Sequence, residues 1–319
     1  MDLELSPDHK LLQESVVRLL EQYRGPLPAG QVGYFQDGAV VADTLAHNGY
    51  MDVVAEEGAN LGVLGAFLVV EATCQLPHSV EVAASALLAP LSGAGALPRP
   101  VAVATAWNGH VDGAPVRFLR GAATVLVDCG DDIRAIDPAR GTTEDIAPSH
   151  FAYPYARFTE LDLSKALRLE IEPATFRHLR CVSLAAELTG ALRATLDLTV
   201  AYVKERSQFG RRLGSFQAIQ HRLSECVTFV HGARMMALRA AVSASAVDSQ
   251  TALFLSQEAA ARLAYDSQQF HGALGQTLEY PLHYWSFRLR ALQGEMGGPW
   301  ALAQSAATAL WGPQSASSA

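Results

Sequence analysis

The chain opens with apolar positions that repeat at helical spacing between polar ones. Ser6 offers a capping hydroxyl and Pro7 suits the first helical position. Leucine and valine then recur every three or four residues, which predicts a helix over residues 7–23. Similar patterns predict helices over residues 40–48, 64–74 and 79–88, with Pro77 and Pro90 as breaks. Residues 1–98 are therefore predicted to form a helical domain.

After Arg99 the pattern changes to short apolar runs between glycine, aspartate and asparagine turns, which predicts strands. The runs are Val101–Thr105, Val116–Leu119, Thr124–Val127 and Ile133–Ile136, in a β domain over residues 99–170. Long helical patterns follow at residues 175–208, 215–245 and 250–273, in a second helical domain over residues 171–319. This order predicts an α+β fold in which a small β domain is inserted between two helical parts that share one core.

The break between the first two long helices is basic. Lys204, Arg206, Arg211 and Arg212 cluster there around Gly210. Arginine offers several planar donors to a phosphate, and glycine lets the backbone approach a ligand. Cations near a helix C-terminus also stabilise the helix dipole without any ligand. Taken alone, the break supports either interpretation.

Composition excludes several classes of function. A formal charge of −8 argues against a nucleic-acid-binding surface, which needs a basic face. The four cysteines lack the spacing of metal ligands, so we expect no metal site and a reducing compartment. The N-terminus lacks the pattern of a signal peptide, and the most apolar stretch, residues 61–72, is shorter than the roughly 20 residues that a membrane span needs. We expect a soluble, cytoplasmic protein that does not bind a membrane.

Three blocks in register resemble the acyl-CoA dehydrogenase family, whose members carry Arg-x-x-Phe-Gly, then Phe-Gln, and later Gln-x-x-Gly-Gly-x-Gly before Glu-Tyr-Pro. The resemblance covers most of the chain. It implies a fold with an N-terminal helical block, a small inserted β domain and a C-terminal domain of the four-helix-bundle type. The matching residues are Arg206-Ser-Gln-Phe209-Gly210, Phe216-Gln217, Gln269-Phe-His-Gly272-Ala273-Leu-Gly275 and Glu279-Tyr280-Pro281.

The resemblance also implies FAD bound across a subunit interface, with the first segment coming from one subunit and the Gln-x-x-Gly-Gly segment from its neighbour. Ala273 departs from the family pattern, because it adds a methyl group where backbone should approach phosphate. We interpret His271 as a packing residue or a residue at the cofactor's edge rather than a base. The implied FAD contacts are Arg206, Gln208, Phe209 and Gln217 on one side, and Gln269, Gly272 and Ala273 on the other.

Family members need a carboxylate base to remove the proton next to the thioester carbonyl. The position that usually holds this base is Met296 here, and the family's alternative position, near the start of the long helix, is Arg180. Arginine cannot act as a base near neutral pH. Two neighbouring carboxylates could substitute: Glu187, two helical turns beyond Arg180, and Glu295, one residue before Met296. Either could equally be structural, and Glu295 would then be a solvent or interface carboxylate.

The strand segment of Thr-Glu-Pro type that contacts the flavin ring in the family is also missing, because the chain offers only Val101 to Trp107 there. Short, base-lacking family members resemble this chain and assemble as one half of α2β2 heterotetramers that oxidise CoA thioesters of bulky acyl groups such as steroid side chains. The expected partner is therefore a homologous subunit, and the substrate an acyl-CoA thioester. Two alternatives stay open: an active homo-oligomer with Glu187 or Glu295 as base, and a flavin-free scaffold that retains only the fold.

Overall fold

The computed structural model describes residues 4–25, 36–54, 61–111, 113–147 and 153–312. Two helical parts flank a β region, as the hydrophobic pattern predicts. The first helix begins as expected, since the Ser6 hydroxyl accepts a hydrogen bond from the His9 N–H at 3.3 Å. The helices of the first part are α1 (Pro7–Leu20), α2 (Ala39–His47) and α3 (Gly62–Cys74), followed by a π-helix at Ala83–Leu88 and a short α4 (Ala89–Leu91).

The second helical part contains the longest elements of the chain. Its three long helices end within three residues of their predicted ends, although the third begins four residues earlier than predicted, and two shorter helices follow them. In the described ranges, no helix is both long enough and apolar enough to cross a lipid bilayer. The helices are α5 (Pro173–Glu205), α6 (Gln217–Ser243), α7 (Ala246–His271), α8 (Leu282–Leu292) and α9 (Gly298–Trp311).

Short strands form two main sheets between the helical parts. The strands are β1 (Gln36–Asp37), β2 (His78–Ser79), β3 (Val101–Thr105), β4 (Val116–Arg117), β5 (Thr124–Asp128), β6 (Ile133–Ile136), β7 (Gly141–Asp145), β8 (Tyr155–Leu161) and β9 (Leu167–Arg168). The first sheet has the order β3-β5-β6-β9, with β3 parallel to β5 and the other pairs antiparallel. The second sheet has the order β4-β8-β7 and is antiparallel. The pair β1 and β2 is parallel.

Two of the predicted elements differ from the structure. The helix expected over residues 79–88 begins at Ala83, because Ser79 pairs with Asp37 in a parallel ladder and Val82 has a non-helical φ of −130°. Pro90, expected as a break, lies inside the short α4 that continues this helix. The strand expected at Val116–Leu119 ends at Arg117, since Phe118 has a positive φ of 59°.

The largest hydrophobic cluster unites both helical parts. It contains Val16, Phe67 and Leu87 from the first part together with Phe176 and Ala237 from the second. An ion pair reinforces this contact, because Arg234 on α6 donates two hydrogen bonds, of 2.7 and 2.8 Å, to the buried Glu71 on α3. The helices on either side of the β region therefore stabilise each other.

Gly190 allows α5 to pack closely against α3. A β-carbon at this position would clash with the backbone oxygen of Glu71 and would lie 2.9 Å from the β-carbon of Cys74. We expect Gly190→Ala to lower the free energy of unfolding by about 1–3 kcal/mol, because backbone must move to make room. Gly232→Ala is the matched control, since Gly232 is exposed within α6 with open space around it and should gain about 0.5–1 kcal/mol. Urea denaturation of both variants measures whether the two changes in the free energy of unfolding have opposite signs.

Candidate functional site

Four charged side chains meet where the β region contacts the second helical part. Arg117 comes from β4, Arg180 and Glu187 come from α5, and Glu295 comes from the turn before α9. Arg117 Nη1 donates to Glu187 Oε1 and Arg117 Nε donates to Glu295 Oε1, both at 2.8 Å. Arg180 Nη2 donates to Glu295 Oε2 at 3.3 Å. The two candidate bases are thus joined through one guanidinium, and we call these four residues the ion network.

Two hydroxyl groups extend the ion network. The Tyr153 hydroxyl donates to Glu187 Oε1 at 2.6 Å, and its ring lies 4.7 Å from the Arg117 guanidinium carbon. Arg180 Nη1 donates to the hydroxyl of Thr105 at 2.8 Å. Arg117 Nη2 makes a further bond of 3.3 Å to Glu187 Oε2. Both oxygens of each carboxylate therefore accept a hydrogen bond from an arginine.

Glu295 lies in a tight turn rather than in a regular helix. Met296 has a positive φ of 56°, and Gly297 and Gly298 follow with φ of 83° and 78°. The buried Gln257 of α7 holds the turn, because its amide nitrogen donates to the carbonyl oxygens of Leu292 and Glu295 at 2.9 and 3.0 Å. The prediction of a solvent-facing Glu295 is wrong, since only 20% of its side chain is exposed and it faces two arginines.

The ion network shifts the pKa of several members. Burial alone would raise the pKa of Glu295, but Arg117 and Arg180 together hold it below its ordinary value of 4.5. Burial opposes the charge on Arg117, yet Glu187 and Glu295 hold its pKa well above its ordinary value. Burial and the neighbouring Glu187 raise the pKa of Tyr153 well above its usual 10.0. At neutral pH Arg117 and Glu295 are therefore charged and Tyr153 is neutral.

A cavity of about 240 Å³ lies beside the ion network. Its other wall includes Glu81, a buried carboxylate whose pKa burial raises, against hydrogen bonds from Ser85 and nearby backbone that lower it. Glu81 accepts the N–H groups of Ala84 and Val101 at 3.1 and 3.2 Å, so it joins the start of the π-helix to β3. Ligand pockets usually measure about 300–1,000 Å³. The cavity is thus small for a thioester and a flavin ring together.

Both positions that the resemblance assigns to a base line this cavity, and neither carries a carboxylate. Arg180 and Met296 are among the lining residues, as are Glu187 and Glu295. The resemblance assigned Arg180 and Met296 to base positions and drew attention to Glu187 and Glu295 beside them, but it did not show that all four residues line one cavity. Arg117 and Tyr153 were missed, although an arginine between Val116 and Phe118 in an otherwise apolar strand pattern was a usable signal of a buried charge.

The low pKa of Glu295 predicts a specific pH dependence. A carboxylate whose pKa is lowered by folding stabilises the native state above its unfolded pKa, and this contribution is lost as the pH falls through the folded value. We expect Glu295→Gln to lower the free energy of unfolding by about 1–3 kcal/mol at pH 7, since Arg180 loses its charged partner. The deficit relative to the unchanged chain should shrink below pH 4.5.

Urea denaturation at pH 7 and at pH 4 measures this difference. Glu160→Gln serves as control because Glu160 is exposed on β8 and should show the same small effect at both pH values. A deficit for Glu295→Gln that stays constant from pH 7 to pH 4 would contradict the assignment.

The basic break forms a tight hairpin beyond the end of α5. Strands β10 (Ser207–Gln208) and β11 (Arg211–Arg212) pair antiparallel around Phe209 and Gly210, whose φ angles are 55° and 80°. Two positive φ values are what a two-residue type I′ turn requires. The hairpin exposes 84% of Phe209, and Arg206 precedes it directly as the C-cap residue of α5.

The hairpin and the Gln269 segment line one pocket of about 660 Å³ within a single chain. They meet because α5 and α7 end side by side, with Tyr202 stacked on His271 at a ring distance of 4.2 Å. The two segments thus border one pocket in a single chain, whereas the resemblance assigns them to two subunits of a shared site. Among the predicted FAD contacts, the described lining includes all but Gln217: Arg206, Gln208, Phe209, Gln269, Gly272 and Ala273.

At Gln217 and Arg222 the structure differs from what the motifs predict for the pocket. Gln217 is exposed at the first residue of α6, whereas the next two residues line the pocket. Arg222, which no motif indicated, also lines it and forms an ion pair with the buried Asp266 of α7. Two arginines, Arg206 and Arg222, therefore border the pocket.

The residues of this pocket fit the nucleotide end of FAD. Gly272 has a φ of 61°, and a β-carbon there would meet open space. Apolar side chains, exposed glycine backbone and two arginines together suit a purine joined to phosphates. The residues around the smaller cavity do not fit the flavin ring in the same way, because Thr105 is already bonded to Arg180.

Residues 173–298 match the family described as "Acyl-CoA dehydrogenase, C-terminal domain". The chain is 33% identical over 181 residues to acyl-CoA dehydrogenase FadE34 of Mycobacterium tuberculosis. This match covers 54% of the chain and 24% of the relative, so the chain spans about a quarter of that relative's length.

Two solved structures of subunit complexes share the fold. A chain of the ChsE4-ChsE5 complex from Mycobacterium tuberculosis superposes with a TM-score of 0.78 at 20% identity, covering 97% of this chain and 99% of that one. A chain from a variant of the Tcur3481-Tcur3483 steroid ACAD superposes with a TM-score of 0.76 at 20% identity, covering 95% and 97%. The chain therefore has the acyl-CoA dehydrogenase fold, and its residues 173–298 form an acyl-CoA dehydrogenase C-terminal domain.

Proposed function

We propose that this chain is the base-lacking subunit of an α2β2 acyl-CoA dehydrogenase that introduces an α,β double bond into a bulky acyl-CoA thioester. The ion network is the observation that carries this proposal. Arg180 of the ion network and the neighbouring Met296 occupy the two positions that the resemblance assigns to a base, and Arg117 binds both nearby carboxylates. The chemistry would then take place at a site that the homologous partner completes.

Neither Glu187 nor Glu295 is suited to remove a proton from carbon. A general base works best when its pKa lies near the working pH. The pKa of Glu295 is held below 4.5, which makes it a weak proton acceptor at neutral pH. Glu187 would have to break bonds to both Arg117 and Tyr153 before one of its oxygens could accept a proton. Breaking a buried ion pair of this kind costs about 3–5 kcal/mol.

The pocket of Arg206 and Gln269 supports a role in holding FAD without performing the oxidation. FAD accepts a hydride in this type of reaction. Arg206 and Arg222 would neutralise its phosphates, and Gly272 would let backbone approach them. The chain would then contribute to cofactor binding at an interface while the partner supplies the base.

The names of the two complexes that share the fold support the proposed partner and the proposed class of substrate. One is named a steroid ACAD, and both are named as pairs of chains. We therefore propose a homologous subunit as the partner, a steroid side chain or an acyl group of similar bulk as the substrate, and the cytoplasm as the location. The acidic chain binds neither nucleic acid nor membrane in this proposal.

Purification from the native source tests the proposal. We expect the chain to elute with one homologous polypeptide in equal amounts, with flavin absorbance in the complex and little in the isolated chain. Only the complex should oxidise acyl-CoA thioesters when a dye accepts the electrons. Flavin-linked turnover by the isolated chain would contradict the proposal, and Glu187→Gln and Glu295→Gln would then show which carboxylate acts as base in a homo-oligomer.

The scaffold alternative has its own readout. A complex that forms but carries no flavin, even after incubation with excess FAD, would favour a scaffold that retains only the fold. Visible absorbance of the complex after removal of free FAD separates the two outcomes, because bound flavin stays with the protein.

A further inference from the structure

Helix α9 contains no charged residue, although one side of it faces solvent. Its 14 residues include two tryptophans, Trp300 and Trp311, which are 87% and 75% exposed. Leu310, next to the second tryptophan, is also exposed. Tryptophan is largely buried in most folded proteins, and the solvent-facing side of a helix usually carries charged residues. The outer face of α9 is therefore unlike an ordinary solvent-facing surface.

The other side of α9 is fixed to the second helical part. Leu302 and Ala306 are buried, and Gln250 of α7 donates a hydrogen bond of 2.9 Å to the Ser305 hydroxyl. The helix packs along α7 and begins directly after the turn that contains Glu295. No residue of α9 belongs to the described lining of either pocket. Its outer face is therefore a rigid surface that is separate from the candidate site.

The two exposed tryptophans lie on the same side of α9. Positions 300 and 311 are 11 residues apart, which is about three helical turns and roughly 16 Å along the helix axis. Smaller, uncharged residues lie between them on this side, namely Gln304, Ala307 and Thr308. The outer face therefore has a large aromatic group at each end and a shallower middle.

This arrangement is complementary to a second copy of itself. In a two-fold symmetric contact, a residue that touches a second residue of the other copy is in turn touched by that copy's equivalent residue. If two α9 helices cross antiparallel at their midpoints, Trp300 of one copy lies opposite Trp311 of the other at both ends of the contact. Smaller residues in the middle, such as Ala307, then let the two helix backbones approach each other.

The exposed area and the charge also suit a contact between two copies. A tryptophan buries up to about 250 Å², so Trp300 and Trp311 would supply about 400 Å² of the roughly 800 Å² that each partner buries in a stable interface. The chain has a formal charge of −8, so two copies repel each other where charged surfaces meet. A helix without charged residues avoids this repulsion, and interface centres are typically rich in aromatic residues and poor in charged ones.

We propose that the outer face of α9 is an interface at which two copies of this chain pair antiparallel about a two-fold axis. Trp300 of each copy packs on Trp311 of the other. This interface goes beyond the proposed function, because it requires neither FAD nor the homologous partner. In an α2β2 complex, which contains two copies of this chain, it joins the two αβ halves.

Sedimentation equilibrium of the isolated full chain measures self-association in the absence of the homologous partner. We expect a dimer at micromolar concentrations. Trp300→Ala or Trp311→Ala should each weaken the dimer by about 30-fold or more, because tryptophans are frequent hot spots of interfaces. Trp107→Ala is the control, since Trp107 is largely exposed beyond β3 and should leave the dimer unchanged. Circular dichroism shows whether each variant is folded.

Variants with charged residues test the antiparallel arrangement. Trp300→Lys combined with Trp311→Glu brings opposite charges together at both ends of the contact. Trp300→Glu combined with Trp311→Glu brings like charges together, and so does Trp300→Lys combined with Trp311→Lys. The oppositely charged variant should dimerise roughly tenfold more tightly than either like-charged variant. The two like-charged variants shift the net charge in opposite directions, so a nonspecific charge effect would weaken one of them and strengthen the other.

The possible results distinguish the occupants of this face. An unchanged chain that stays monomeric would overturn the inference, and if the tryptophan variants then failed to bind the homologous partner, α9 would be the surface for that partner. A dimer that persists in Trp300→Ala and Trp311→Ala would also overturn it. Should the oppositely charged variant associate no more tightly than the others, the antiparallel pairing is wrong. These measurements involve neither FAD nor oxidation, so they are independent of the test of the proposed function.

Discussion

Arg117→Met is expected to lower the free energy of unfolding by about 3–5 kcal/mol, the largest loss for any single change in the ion network. The substitution leaves Glu187 and Glu295 without the cation between them, and Glu187 is only 3% exposed. Buried carboxylates without a partner either remain charged at high cost or take up a proton. Denaturant unfolding at pH 7, followed by tryptophan fluorescence, measures the loss.

Arg193→Met provides the matched control for Arg117→Met. Arg193 pairs with Asp197 on the surface of α5 at 2.7 Å, with both side chains more than half exposed, so its loss should cost no more than about 0.5 kcal/mol. The double variant Arg117→Met with Glu187→Gln should recover part of the loss, since it removes one cation and one anion and leaves the pair of Arg180 and Glu295 in place. A loss below 1 kcal/mol for Arg117→Met would contradict a buried, charge-dependent network.

Arg206→Gln is expected to reduce the affinity of the complex for FAD by roughly 10–100-fold. Arg206 lines the pocket at the base of the hairpin, where a guanidinium can give charge-assisted bonds to phosphate. Glutamine keeps a donor at this position but loses the charge. Loss of bound flavin on dilution, followed by fluorescence of the released cofactor, gives the dissociation constant.

The surface variant Arg193→Gln removes one positive charge from α5 outside the pocket and should leave the affinity for FAD unchanged. Circular dichroism of Arg206→Gln shows whether its fold is intact. If a folded Arg206→Gln complex binds FAD with unchanged affinity, the pocket does not bind the cofactor.

Long periodic segments made most of the fold predictable. The helices α5, α6 and α7 follow from apolar spacing over more than twenty residues each, where one misplaced residue changes little. The short elements were harder to predict. Strands β7 and β8 were missed because β7 is almost entirely exposed and β8 alternates irregularly, so neither shows a strong apolar run. The π-helix could not be predicted either, since nothing in its local composition distinguishes it from an α-helix.

The parts of the candidate site that follow from the position of a residue within a motif could be predicted. The contacts between residues that are far apart in the chain could not. The resemblance assigned Arg180 and Met296 to base positions, and helical spacing placed Glu187 on the same face as Arg180; all three residues line one cavity. It could not show that Arg117, 70 residues before Glu187 in the chain, would lie between two carboxylates. Such a pairing is set by the β region docking on α5. The sequence shows only that a charge must be buried somewhere.

The ion network also determines how this chain could change. Its two arginines and two glutamates balance in charge, so any single replacement of a charged member by a neutral residue leaves one buried charge unmatched. Introducing a carboxylate at Met296 alone would likewise add a third anion beside the pair. A stable carboxylate at this position therefore needs a second substitution that supplies a cation or removes one of the two glutamates. The charge balance of the ion network thus limits which single substitutions this part of the chain tolerates.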